Sequence, residues 1–293
     1  MITRLDKNAY GKNAINLSKV IRHADRQEIR HISVNIALQG DFESAHTAGD
    51  NTKVLPTDTM KNTVYALAKD HFSASIEDFG IYLTGHFLSN NPQVSEVKAE
   101  LTEFCWSRMV FDGKPHPHSF LNGGSEKHET TVIRNGNGVT VTSGISDLLI
   151  LKTTDSGFEN YIRDPYTTLK ETPDRIFSTE CQVSWKYTAA QPVNPPIPSS
   201  PTQPDYTDLY TRIRLDLLHT FATHKSLSVQ HTLYAMGANV LSAFNAVEEI
   251  TLKMPNKHHI LFNLEQFGMD NRNEIFIATD EPYGFITGTL VRE

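Results

Sequence analysis

Cysteine is scarce in this chain of 293 residues: there are two, Cys105 and Cys181, far apart and in no metal-ligand spacing. That excludes a disulfide scaffold and a zinc module, and leaves two thiols suited to burial in a reducing compartment. An excess of positive charge is lacking as well. Lys and Arg number 27 against 34 Asp and Glu, a net charge of −7, which argues against nucleic acid or an anionic membrane as partner. No apolar run approaches the ~20 residues of a spanning helix. The first residues lead straight into polar sequence, without a signal-peptide core. The C-terminal Val291-Arg292-Glu293 is not a peroxisomal tripeptide, and with thiols suited to a reducing compartment the expectation is a cytoplasmic protein. What is present is 39% hydrophobic content, enough for a large core. An anionic ligand would need a local basic group, because the overall field repels it.

The periodicity of the apolar residues sets the elements. Ile32, Val34, Ile36 and Leu38 alternate with polar or small residues, as do Val97, Ala99 and Leu101 with Glu96, Lys98 and Glu100. Both segments read as half-buried strands of an antiparallel sheet. Between them Val64, Leu67 and Ala68 suit one face of a helix over 59–70, and a second helix is expected over 75–89. After the turn Asn135-Gly136-Asn137-Gly138 the order recurs. Strands are expected over 139–153 and 176–187, then a proline-rich loop over 192–204. One helix would carry Leu209, Ile213, Leu217 and Phe221, and the next Val229, Leu233, Met236, Val240, Phe244 and Val247. Further strands are placed at 249–252, 260–264 and 274–278. The reading is an α+β protein of two similar domains, 1–140 and 141–293, each an antiparallel sheet with a helix pair on one face. Open sheet edges would favour closure by other subunits into a barrel.

Six short segments hold residues that could bind or react. Leu55-Pro56-Thr57-Asp58 opens a helix; Thr57 can cap its amides and Asp58 complements its dipole, so outward amides could meet an anion or a polarised carbonyl. Tyr10-Gly11-Lys12 precedes the first strand, and Lys12 is either a solvated charge or a base whose pKa is depressed by its surroundings. Arg175 offers a planar fork for a flat anion and Phe158 a stacking face. The plainer alternative puts Phe158 in the core and pairs Arg175 with Asp174. Ser228 is a natural helix cap that would set the Val229 amide and the Gln230 carboxamide at an N-terminus. Pro255-Asn256-Lys257-His258-His259 is either a simple turn or a place where Asn256 holds a small polar molecule and His258 relays a proton. His116 and His118 could chelate from a strand, but no third ligand is evident, so a structural or interface role is preferred to a metal site.

Taken together these segments resemble the urate oxidase (uricase) family nearly end to end. The residues that carry the resemblance are Tyr10-Gly11-Lys12, Thr57-Asp58, Lys114-Pro115-His116-Pro117-His118-Ser119-Phe120, Phe158, Tyr166-Thr167-Thr168-Leu169-Lys170-Glu171-Thr172, Asp174-Arg175, Ser228-Val229-Gln230 and Pro255-Asn256-Lys257-His258. The resemblance implies two tandem tunnelling-fold (T-fold) domains in a homotetramer around a tunnel, with active sites shared between subunits. It implies urate and O2 as substrates and no cofactor or metal. Arg175 and Gln230 would clamp urate, Phe158 would stack on it, and the Val229 amide would touch it. Thr57 of a neighbouring subunit would add its amide, with Asp58 beside it. Asn256 would hold O2 or water above the ring, with Thr57 alongside, and Lys12, Thr57 and His258 would form a proton relay. Two rivals stay open: another T-fold enzyme with a glutamate anchor and zinc, and a non-catalytic tetramer that binds a similar ligand.

Overall fold

Elements follow the apolar spacing closely. The computed structural model describes residues 3–188 and 204–293. The chain divides into two compact units, Met1–Gly144 with Lys186–Tyr210, and Ile145–Trp185 with Thr211–Glu293.

In the first unit, β1 (Tyr10–Arg22), β2 (Gln27–Gly40), β3 (Val94–Phe111) and β4 (Lys114–Asn135) pair in that order, all antiparallel. Between β2 and β3 come a short α1 (Glu43–Thr47), which the sequence reading missed, then α2 (Thr57–His71) and α3 (Ile76–Asn90). The alternating residues of β2 and β3 are buried beneath Met60, Val64 and Ala68 of α2 and Phe79, Leu83 and Phe87 of α3. Ser75 caps α3 in a reciprocal box, its hydroxyl accepting from the Asp78 N–H at 2.9 Å.

The chain passes to the second unit within β5 (Gly138–Lys152), followed by β6 (Phe177–Tyr187). There α4 (Tyr206–Thr223) and α5 (Val229–Ala243) supply the helix pair, and β7 (Val247–Lys253), β8 (Asn256–Leu261), β9 (Phe276–Gly284) and β10 (Thr287–Val291) complete the unit. β7 lies between β6 and β10, while β8 pairs with β6 and β9. Cys181, Val183 and Trp185 of β6 and Ile250 and Leu252 of β7 are buried, as are Ile213, Leu217 and Phe221 of α4 and Leu233, Met236 and Val240 of α5.

Four expectations need correction. Helix α5 stops at Ala243, with Phe244 as its C-cap and Val247 already in β7. Strand β10 was not foreseen. Residues 256–259 are strand, not turn, because β8 is held on both sides by β6 and β9. Cys105 is only half-buried; Cys181 alone is fully enclosed, and burial pushes its thiol up to about 12. The proline-rich stretch 192–204 lies outside the described residues except for Pro204. Among those residues β1 pairs only with β2 and β10 only with β7, so each unit keeps an open edge.

Candidate active site

The foreseen residues gather into two groups, one in each unit. In the first, Tyr10, Gly11 and Lys12 lie within β1 rather than ahead of it, Lys12 opposite Ile36. Gly11 is required there: a Cβ would stand 1.8 Å from the Ile36 carbonyl oxygen. Directly after Lys12 the pairing slips, and Ala14 adopts a φ of 55° with its N–H donating to Asn35 Oδ1 at 2.8 Å. Such a bulge re-aims the neighbouring side chains. The Tyr10 hydroxyl accepts the Leu55 N–H at 2.9 Å, which ties β1 to the loop entering α2.

At the head of α2 the N-cap is Pro56, and no side chain caps the helix. Thr57 is therefore the first helical residue, not the cap expected of it. Amides left without a side-chain partner at this end suit an incoming oxygen. Asp58 beside it accepts from the Lys61 ammonium at 2.5 Å and from Asn62 Nδ2 at 3.0 Å. Those bonds, led by Lys61 and aided by the charge of Lys12, hold its carboxyl below the ordinary range. Lys12 thus lies close enough to the head of α2 for its charge to act on Asp58.

The second group is knitted by backbone bonds. Phe158 and Thr172 exchange N–H···O bonds of 2.8 and 3.2 Å, Gly157 N–H donates to Ser226 O at 2.8 Å, and Arg175 N–H donates to Ser156 O at 2.6 Å. Ser226 Oγ in turn donates to Ser228 O at 3.0 Å, and the Ser228 hydroxyl caps α5 by accepting the His231 N–H at 3.1 Å. Phe158, Arg175 and the helix start at Val229 and Gln230 are therefore one construction. Val229 is buried and Gln230 exposed at that start.

The Arg175 guanidinium sits over the Phe158 ring, 5.3 Å from its centroid. Its expected surface partner is engaged elsewhere, since Asp174 accepts from Thr154 Oγ1 at 2.7 Å and from Ser156 N–H at 3.2 Å. Arg175 Nε is buried with no hydrogen-bond partner among the described residues. A buried cationic donor left so is costly unless a ligand meets it. Asn256 and His258 come together on β8, Asn256 Nδ2 lying 3.4 Å from His258 Nδ1. Burial first, and then the charge of Arg175, lower the His258 imidazole below its ordinary 6.5, so it is neutral at pH 7. His258 and Arg175 therefore feel one another directly.

The sequence reading missed Tyr161, which stacks on Phe158 with centroids 4.9 Å apart and planes 13° apart. Its hydroxyl donates to Leu169 O at 2.6 Å, so the Tyr166–Thr172 segment braces the aromatic wall. The signal was an aromatic residue three positions after Phe158. His116 and His118 lie edge to face at 4.6 Å on β4. Among the described residues no three His, Cys, Asp or Glu side chains gather as a metal would need.

Open antiparallel sheets with helix pairs place the chain in the α+β tunnelling-fold class, and within it a guanidinium that no described residue pairs lies over an aromatic wall. The comparisons with known proteins narrow this. A family model described as Uricase matches residues 8–133 and 141–287. A uricase of Arthrobacter globiformis is 40% identical over 289 residues, covering 99% of this chain and 90% of that protein. A uricase of Dictyostelium discoideum is 36% identical, covering 100% and 98%. The crystal structure of the Arthrobacter globiformis uricase superposes with a TM-score of 0.91 at 39% identity, covering 100% of this chain and 96% of that one. The chain belongs to the uricase family, the oxidoreductases of urate in purine catabolism.

Proposed function

We propose that the chain is a cofactor-independent urate oxidase, converting urate, O2 and water to 5-hydroxyisourate and hydrogen peroxide. The observation that carries this reading is Arg175, a guanidinium lying over an aromatic face with a buried N–H that no described residue accepts. Urate is a flat anion with an oxygen and ring nitrogens along its edge, the partner such a fork fits. Arg175 and Gln230 would grip its two edges, Phe158 would stack on its face, and the Val229 amide would contact it at the head of α5.

Urate is electron-rich and easily oxidised, so the protein's part is to bind it, take a further proton and set O2 against its face. Lys12, Thr57 and His258 form the proton relay, with His258 neutral and able to accept. Asn256 holds O2, and afterwards water, above the ring. Electron transfer and recombination place a peroxide on the urate carbon; water then adds as hydrogen peroxide leaves, which balances the overall reaction.

The Lys12, Thr57 and Asp58 group of one protomer would complete the Phe158 and Arg175 group of another, in a homotetramer. The domains are proposed as 1–140 and 141–293, and the compartment as the cytoplasm, which suits two free thiols. No described helix is long and apolar enough to cross a membrane. The deciding experiment follows the ultraviolet absorbance of urate with O2 uptake. Steady loss with peroxide released is the expected result; a bound but unchanged urate band would make the chain a binding protein instead.

A further inference from the structure

Arg134 stands at the far end of β4, on the face that Thr130 and Val132 bury beneath α3, and is 6% exposed. Its guanidinium makes two weak contacts, donating from Nη2 to Ile81 O at 3.3 Å and from Nε to Thr84 Oγ1 at 3.5 Å. Among the described residues no carboxylate pairs with it. Glu96, on the neighbouring strand, spends one oxygen on Gln39 Nε2 and the other on Asn135 Nδ2, each at 2.9 Å. Burial alone lowers the guanidinium from its ordinary 12.5. A buried cation without an anion is unfavourable, and an aliphatic side chain would fill the same place without that cost.

Beside Arg134 opens a cavity of about 450 Å³, walled by Gly85, Leu88 and Ser89 of α3 and by the turn at 135–138. The turn leaves space free: a Cβ on Gly136 or Gly138 would meet nothing within 4 Å. None of these residues belongs to the groups described above. We propose that this cavity is an oxyanion site, in which Arg134 receives a phosphate-type ligand, either free phosphate or the phosphate of a small ester. Arginine suits such a ligand because its planar fork meets two oxygens at once. The cavity leaves room for an organic group beyond the phosphate.

Thermal unfolding of the full-length protein across inorganic phosphate concentrations, against potassium chloride at equal ionic strength, tests this. Tm is expected to rise saturably with phosphate, on the order of 5 °C at a hundredfold excess over Kd. Arg134→Met is expected to abolish the rise while leaving urate turnover unchanged. Arg175→Ala removes the guanidinium of the candidate active site, and a rise that persists there assigns the effect to Arg134. Ser89→Glu supplies a carboxylate from the cavity wall, and is expected to raise Tm without phosphate and to cancel the response. Glycerol phosphate in a parallel series identifies an ester as the preferred ligand if it saturates at lower concentration. No rise beyond the chloride control, an equal rise in Arg134→Met, or its loss in Arg175→Ala overturns the proposal. Should Arg134→Met not fold, an undiminished phosphate response in Ser89→Glu overturns it instead.

Discussion

Removing the Arg175 side chain takes away a charged clamp and leaves Phe158 in place. Arg175→Ala is therefore expected to raise KM for urate by about 10- to 100-fold, with a smaller fall in kcat. Lys12→Ala is expected to do the reverse, lowering kcat with KM nearly unchanged, because Lys12 moves a proton rather than gripping the ring. Steady-state kinetics read as this split decide between clamp and relay. His258 gives a third readout. Burial and the Arg175 charge both depress its imidazole, so in Arg175→Ala the second cause vanishes and the pKa moves up toward 6.5. Proton NMR titration of the histidine ring measures that rise; an unmoved resonance would mean the two side chains are not coupled. At this scale the residue types were legible in the sequence, and their partners were not. Asp174 stands next to Arg175 in the chain yet bonds Thr154 and Ser156, because the loop folds back on itself.

Elements hold these side chains still, and two polar contacts show how. The Asp174 carboxyl lies below its ordinary 3.8, chiefly through Thr154 Oγ1 and further through the Ser156 N–H. A depressed carboxyl contributes stability that is complete above its ordinary value and is lost as pH falls through the folded one. Thr154→Val raises the folded value, so the acid decline of Tm is expected to be shallower and the protein less stable near neutral pH. In the first unit Glu77, the second residue of α3, is fully buried and accepts from His128 Nε2 at 2.9 Å and from the Ser143 hydroxyl. Burial pushes its carboxyl up, but His128 and Ser143 prevail and hold it low. His128→Ala would strand that charge and is expected to cost about 3 kcal/mol in denaturant unfolding. Helix α2 was legible to within two residues, as was α3, since apolar spacing along a helix is a local signal. Strand β8 was not. Pro-Asn-Lys reads as a turn until two neighbouring strands occupy its backbone bonds.

At the scale of the whole molecule, the groups around Lys12 and around Arg175 each form within their own unit. If sites are completed between protomers, coexpressing Lys12→Ala with Arg175→Ala chains should give more activity than either variant shows alone. Some sites in the mixed assembly would then take Lys12 from one chain and Arg175 from the other. No recovery in purified mixed assemblies would place both groups in a single chain's site. The alternating strands β2 and β3, the apolar faces of α2, α4 and α5 and the Ser228 cap on α5 were determined by sequence alone, because spacing and capping act within a few residues. Tertiary structure decided that no described carboxylate pairs with Arg175, that Tyr161 backs Phe158, that Thr57 begins its helix without capping it, and that Arg134 is buried beside an open cavity. Each of those depends on which distant backbone arrives alongside, and such contacts leave no periodic trace in the chain.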